Sequence, residues 1–130
     1  MAATPFVSVM VVIYNHDQYV EQALDRILAQ RVNSPWEVVV ADDCSIDGTA
    51  AILARYQQRY PDIVRVLPVE LGVSRNFERA MQACLGKFVA IVEGDDYWTS
   101  PDKLQLQAEF MQSHPDFSMC FHNAEVIGNV

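Results

Sequence analysis

Positive charge is scarce in this sequence. Nine Lys and Arg face 17 Asp and Glu, a formal net charge of −8 at pH 7 and a pI of about 4.6. A chain so poor in cations offers no basic face to a phosphate backbone. That excludes nucleic acid as a general partner, but not a nucleotide held through a metal ion. Cysteine is equally sparse. Cys44, Cys84 and Cys120 are odd in number and widely spaced. They form no disulfide framework and no CxxC pair, so free thiols in a reducing compartment are expected. His16, His114 and His122 lack zinc-ligand spacing. No apolar run reaches the length of a membrane span. The run Phe6 to Ile13 is too short, with no basic region before it, so neither a signal peptide nor a transmembrane helix is expected. A GxGxxG after the first apolar run and a GxxxxGK[ST] are both missing, which argues against a Rossmann dehydrogenase and a P-loop enzyme. Internal repeats and low-complexity segments are absent.

What remains is ordinary for a globular domain: 130 residues, 51% hydrophobic and 20% charged. Val7 to Ile13 is rich in β-branched residues and reads as a strand buried on both faces. Tyr14-Asn15-His16-Asp17 breaks it. Val20, Ala23, Leu24, Ile27 and Leu28 then mark one face of a helix, which Asn33-Ser34-Pro35 ends. Trp36 to Ala41 is a second buried strand, followed by the polar loop Asp42 to Thr49. Ile52, Leu53, Tyr56 and Tyr60 line a second helix that Pro61 stops. Ile63 to Leu67 is a short third strand. Gly72 starts the next turn; Val73, Phe77, Ala80, Met81 and Cys84 follow helical spacing, and Gly86 suits the position after a helix end. Lys87 to Val92 is a fourth strand. Ser100-Pro101 opens a helix running to about Gln112, and Phe117 to Phe121 reads as a fifth strand.

Strand and helix alternate, so the expected class is α/β: a three-layer, mostly parallel central sheet with helices on both faces. In such sheets ligands sit beyond the carboxyl ends of the strands, where the strand order reverses. The polar signals fall at those ends. Tyr14-Asn15 follows the first strand, Asp42-Asp43 the second, and Glu93-Gly94-Asp95-Asp96-Tyr97-Trp98 the fourth. If the first strand lies between the second and fourth, the three loops share one crevice.

The third of these is the most demanding. At an effective dielectric near 20 and roughly 5 Å, each like-charge pair among Glu93, Asp95 and Asp96 costs about 3 kcal/mol unscreened. A cation turns that cost into attraction, and hard carboxylate donors suit Mg²⁺ or Mn²⁺ bridging to phosphates. Asp95 and Asp96 are the candidate ligands, and Glu93 either joins them or orients water or a sugar hydroxyl. Of Asp42 and Asp43, one could accept from a base or ribose while the other caps the helix at Gly48-Thr49. Tyr14 either stacks on a base or joins the core. Arg75 either touches a base or phosphate or is simply solvated. Tyr97 and Trp98 wall the pocket or pack. Cys44, beside two carboxylates, is a poor nucleophile.

Taken together, Val9 to Asn15, the motif Asp42-Asp43-x-Ser45-x-Asp47-Gly48-Thr49, the run Glu93 to Trp98 and the downstream Pro101-x-Lys103-Leu104 resemble the family-2 glycosyltransferases of GT-A fold. The resemblance spans nearly the whole chain. It implies transfer of a sugar from a nucleotide diphosphate sugar, a UDP-sugar by default, to the hydroxyl of a saccharide or lipid-linked acceptor. It also implies inversion and a divalent Mg²⁺ or Mn²⁺. By position, Tyr14 corresponds to the base-stacking aromatic and Asp43 to the base-reading carboxylate, with Asp42 assisting. Asp95 corresponds to a ribose or phosphate-side contact and Asp96 to the metal-binding aspartate, Glu93-x-Asp95 being the alternative metal motif. Bacterial cell-surface polysaccharide synthesis is the implied process, in the cytoplasm or at the inner membrane face. Family members continue into an acceptor-binding half that supplies the catalytic base, and nothing after Asp96 matches that base. The expectation is therefore a nucleotide-sugar-binding half, with the base beyond residue 130, weak or no transfer alone, and an apolar face prone to self-association. Two other readings stand beside it: a nucleotidyltransferase, which would need a Gly-rich basic loop near the first strand, and a non-catalytic nucleotide-binding module.

Overall fold

The computed structural model describes residues 3–68 and 73–127, with the side chains of residues 73 and 74 left aside; Gly72 and its expected turn lie outside the described residues. The chain runs β1 (Val7–Ile13), α1 (Val20–Leu28), β2 (Trp36–Asp42), α2 (Thr49–Arg59), β3 (Val64–Val66), α3 (Val73–Ala83), β4 (Phe88–Glu93) and α4 (Lys103–Ser113). The four strands form one sheet in the order β3-β2-β1-β4, all parallel.

Residue alternation along β1 builds both faces of the sheet. Val7, Val9, Val11 and Ile13 enter one core with Val20, Leu24 and Ile27 of α1, Leu53 of α2, and Trp98 and Leu104. Met10 points the other way and packs with Ala41 of β2 and Ala80 of α3. A strand buried on both faces has no polar stripe, which is why VSVMVVI reads as a near-continuous apolar run. The buried positions of α1 (Val20, Ala23, Leu24 and Ile27) recur at three and four residues, the spacing of one helical face.

The topology follows from the handedness of crossovers. From β1 to β2 to β3 the chain steps outward, and right-handed connections put α1 and α2 on one face. From β3 it returns across the sheet to β4 on the far side of β1, so the same handedness puts α3 on the opposite face. The strand order therefore reverses at β1, between β2 and β4, as a β1-centred crevice requires.

Two polar clusters far from that crevice fix the frame. Ser8 and Glu37 face each other in register on β1 and β2. The buried Glu37 carboxylate accepts from Ser8 Oγ (2.6 Å), Leu85 N (2.7 Å) and Arg65 Nη2 (3.0 Å). Ser8 Oγ in turn accepts from Gly86 N–H, where a Cβ would meet Ser8 N at 2.6 Å, so only glycine fits the α3–β4 turn. At the other side, the buried Gln30 after α1 donates to Ser100 O (2.7 Å) and accepts from Leu104 N (3.0 Å), docking the start of α4.

Three expectations need correction. Phe117 to Phe121 is not a strand: it pairs with nothing among the described residues, and Phe117, Met119 and Phe121 are all exposed. Alternating apolar residues make a strand only where an edge accepts their backbone, and here they do not join β4. The last helix starts at Lys103 with Asp102 as its N-cap, two residues after Pro101. On α3, Phe77 and Met81 lie on the exposed side, while Asn76 and Ala80 face the sheet.

Candidate functional site

Three strand ends converge. β1 delivers Tyr14, β2 delivers Asp42 and Asp43, and β4 delivers Glu93, Asp95 and Asp96, all on the C-terminal side of neighbouring strands. The strand order thus brings the sequence-predicted loops together as expected. Their environments differ in ways the sequence does not reveal.

Asp42 and Asp43 are both buried, 2% and 8% exposed. The Asp42 carboxylate is occupied: its Oδ1 accepts from Ser45 N–H (3.1 Å) and from Ser45 Oγ. Asp43 is anchored by its backbone, its N–H donating to Ile13 O at 2.9 Å. Its side-chain Oδ1 is shut off from solvent and has no partner among the described residues. Neither caps the second helix. The N-cap is Gly48, and just before it Asp47 Oδ1 accepts from Thr49 N–H at 2.9 Å. Desolvation pushes the Asp47 carboxyl up, but the hydrogen bonds from the Thr49 side chain and backbone and from the Asp17 backbone and side chain together outweigh it and hold the group below its ordinary value.

The β1–α1 and β2–α2 loops are laced together. Asn15 N–H donates to Ser45 Oγ (2.9 Å), and Asn15 Oδ1 accepts from Ile46 N–H (2.9 Å). His16 N–H donates to Thr49 Oγ1 (3.1 Å), Asp17 N–H to Asp47 Oδ2 (3.2 Å), and Gly48 N–H to Asp17 Oδ2 (3.1 Å). Asn15 and Cys44 adopt left-handed backbone conformations, φ 54° and 58°. Asn tolerates that region because its short side chain bonds locally, as it does here. Tyr14, immediately before the turn, is half exposed, so its ring is available to a ligand rather than committed to the core.

On the β4 side, Glu93, Asp95 and Asp96 are exposed, and each can offer one oxygen within 4.8 Å of the others. Asp96 N–H closes a tight turn onto Glu93 O at 3.1 Å. Gly94 lies beneath this turn. Its N–H donates to Val12 O, and a Cβ there would meet Ile13 Cγ1 at 2.7 Å and His16 Nδ1 at 2.9 Å. His16, weighed in the sequence only for zinc-ligand spacing, bridges the loops: its Nε2 is 3.9 Å from Asp95 Oδ2. The signal that could have found these residues is the density of Asn, Asp, Ser and Thr in both loops, more than a turn needs. Three hard oxygen donors this close fit an Mg²⁺ or Mn²⁺ ion bound through carboxylates, waters and substrate phosphates.

Arg75 is exposed on the first turn of α3. Trp98 packs rather than walls the site: it is buried in the main core with the Lys103 ammonium 4.0 Å above its ring. Tyr97 is half-buried, with the Arg26 guanidinium 5.8 Å above it. No helix among the described residues is long and apolar enough to cross a membrane.

Residues 8–128 match the family model described as "Glycosyl transferase family 2". The chain belongs to glycosyl transferase family 2. Among curated relatives, it is 41% identical over 122 residues to the Mycobacterium tuberculosis protein Rv1520, covering 92% of this chain and 35% of that protein. It is 37% identical over 111 residues to TuaG of Bacillus subtilis, a putative teichuronic acid biosynthesis glycosyltransferase, covering 82% of this chain and 42% of that one. The family-2 chain thus spans well under half the length of these relatives. Among solved structures it resembles Staphylococcus aureus TarS 1–349 in complex with UDP-GlcNAc, with a TM-score of 0.71 and 32% identity over 84% of this chain and 32% of that one. It also resembles the mannosyltransferase PcManGT of Pyrobaculum calidifontis in complex with GDP-Man and Mn²⁺, with a TM-score of 0.71 and 29% identity over 84% of this chain and 33% of that one. The α/β architecture is that of the GT-A glycosyltransferases.

Proposed function

We propose that this chain forms the donor site of a glycosyltransferase. The enzyme would transfer a sugar from a nucleoside diphosphate sugar to an acceptor hydroxyl, with a divalent cation, in bacterial cell-surface polysaccharide synthesis. The observation that carries the reading is the buried, unpartnered Oδ1 of Asp43 at the end of β2. A buried acceptor left without a donor costs about 1–3 kcal/mol, which a ligand N–H would recover. An ionised carboxylate only accepts, so it suits a base with a ring N–H on its pairing edge, such as uracil or guanine, over cytosine, whose ring nitrogen is itself an acceptor and which can donate only from its exocyclic amino group. UDP is the default. The half-exposed Tyr14 offers a face for the base, and Asp42 supports Asp43 through their shared loop. Arg75 is available to phosphate or base.

Asp96 and Asp95, with Glu93 beside them, would hold Mg²⁺ or Mn²⁺. When bound, such an ion neutralises charge on a departing diphosphate. The TarS and PcManGT complexes with UDP-GlcNAc and with GDP-Man and Mn²⁺ support this ligand class. TuaG supports the polysaccharide context. The acceptor, a saccharide or lipid-linked sugar in this reading, and the base that activates it are assigned to no residue here. With three unpaired cysteines, the reading extends to a cytoplasmic protein working at the inner membrane face.

Leu106, Phe110, Phe117, Met119 and Phe121 are exposed on α4 and the segment after it, and Ile91 on β4 is half exposed. This supports self-association of the isolated chain, and a monodisperse monomer by light scattering would count against it. The donor reading itself is tested by calorimetric titration of UDP-, GDP- and dTDP-sugars with and without Mn²⁺, on the native chain and on Asp96→Ala. Metal-dependent binding of one nucleotide, weakened by the substitution, is expected. Binding indifferent to both metal and Asp96 would contradict the metal assignment, and a folded chain that binds none would contradict the donor site.

A further inference from the structure

We propose that Arg79 is a positioning residue for the end of β2, completing the sheet edge that β3 leaves open and thereby fixing where Asp42 and Asp43 stand. Its consequence for ligand rests on the donor-site reading above; the positioning itself does not.

β3 is short. Its ladder with β2 covers Val38↔Val64, Val39↔Arg65 and Val40↔Val66, and Leu67 N–H closes on Val40 O at 2.9 Å. β2 continues to Asp42. Alternate residues of a strand present their carbonyls in the same direction, so the Asp42 carbonyl emerges on the edge that β3 has just vacated. Arg79 takes that place. Its Nη2 donates to Asp42 O at 3.0 Å, its Nη1 donates to Pro68 O on the outgoing chain, and its Nε donates to Asn76 Oδ1 at 2.9 Å. Asn76, one helical turn earlier on α3 and buried, donates Nδ2 to Ala41 O at 3.0 Å. Two side chains on one face of α3 thus grip the last two residues of β2.

The opposite side of the same segment is fixed too, through Asp43 N–H to Ile13 O of β1 and through the Ser45 bonds to the Asp42 carboxylate. The carboxylate pair is held from both sides, and Asp43 Oδ1 is the atom left over. A guanidinium suits this place. Its planar fork reaches two carbonyls at once while its Nε holds Asn76. A lysine offers a single point donor in place of the fork that meets Asp42 O, Pro68 O and Asn76 Oδ1 together.

The test compares Arg79→Ala and Arg79→Lys with Arg55→Ala, a surface control at an exposed ion pair with Glu21. The first readout is amide hydrogen exchange. Faster exchange at Asp43 and Ser45, with the centre of β1 unchanged, is expected for Arg79→Ala, with Arg79→Lys intermediate and Arg55→Ala native. The second is affinity for UDP and CDP with Mn²⁺. Losing a hydrogen bond to a charged group corresponds to about a tenfold loss of UDP affinity, and the preference for UDP over CDP should shrink with it. A general packing role would instead lower the melting temperature, raise exchange across the whole sheet and weaken both nucleotides alike. That result, or native exchange at Asp43 and Ser45 in Arg79→Ala, would overturn the proposal. If the alanine variant fails to fold, the lysine variant decides by the same readouts. If the native chain binds neither nucleotide while the local exchange effect holds, the positioning stands and the donor-site reading fails.

Discussion

Gly94→Ala is the most incisive single change, because it presses on the acidic loop from below without touching a carboxylate. The added Cβ would stand 2.7 Å from Ile13 Cγ1 and 2.9 Å from His16 Nδ1, against ordinary contacts of 3.4 Å and more. Ile13 is 2% exposed and locked in the main core, so it cannot withdraw. The loop must instead lift by about 0.5–1 Å, and overpacking of this kind costs about 1–3 kcal/mol. Metal ligation tolerates about 0.2 Å, and disturbing the support of a metal site typically costs about 10–100-fold in affinity. Mn²⁺ titration in the presence of UDP should therefore weaken by that factor, while the melting temperature falls only modestly. Gly86→Ala is the matched control at the opposite end of the strands. Its Cβ would meet Ser8 N at 2.6 Å, so it should destabilise at least as much and leave the nucleotide and metal affinity of the folded fraction unchanged. Native Mn²⁺ affinity in a folded Gly94→Ala variant would refute the claim that the loop over Gly94 positions the ion.

Glu37→Ala should destabilise by about 3–5 kcal/mol in urea unfolding, since it strands the Ser8 hydroxyl, the Leu85 N–H and the Arg65 guanidinium. Burial pushes the Glu37 carboxyl up, but hydrogen bonds from Ser8, Leu85 and Arg65 and the Arg65 charge outweigh it and hold the group below its ordinary value. The native state thus keeps that carboxylate ionised where the unfolded chain would bind a proton. The contribution is complete above the ordinary carboxylate range and drains away as pH falls through it, and Glu37→Gln should flatten that part of the profile. Burial pulls the Lys103 ammonium from its ordinary 10.5 down to about 8, despite the Trp98 face beneath it. Between those values the unfolded chain holds the proton and the folded one releases it, so stability should rise with pH across that window, and Lys103→Met should abolish the rise. Asp43→Asn should raise the UDP dissociation constant about tenfold and narrow the gap between UDP and CDP, measured by calorimetry.

The fold was legible because its two central strands, β1 and β2, are buried on both faces. Val7–Ile13 and Trp36–Asp42 are rich in valine, and the buried positions of α1 keep strict helical spacing. The central place of β1 stood only as a condition in the sequence, and the strand order β3-β2-β1-β4 meets it. The error at Phe117 to Phe121 has a plain cause: alternation is a property of the segment, whereas pairing is a property of its neighbour. Within the site, sequence located the loops but not the environments. Asp42 and Asp43 are adjacent and chemically identical, and only the fold shows that Ser45 occupies one and leaves an oxygen of the other unpartnered. Arg75 was singled out by position, while Arg79, one turn on, grips the strand end. The Ser8–Glu37 pair could have been found, since a small polar and a charged residue interrupt two otherwise apolar strands at the same register.

The most direct test is a crystal structure of the chain with UDP and Mn²⁺, with anomalous data collected for manganese. The account predicts uracil against Tyr14 with its N3–H on Asp43 Oδ1, the diphosphate toward the β4 loop, and a manganese peak ligated by Asp96 with Asp95 or Glu93 beside it. Nucleotide seated elsewhere, or manganese bound away from the β4 loop, would contradict it.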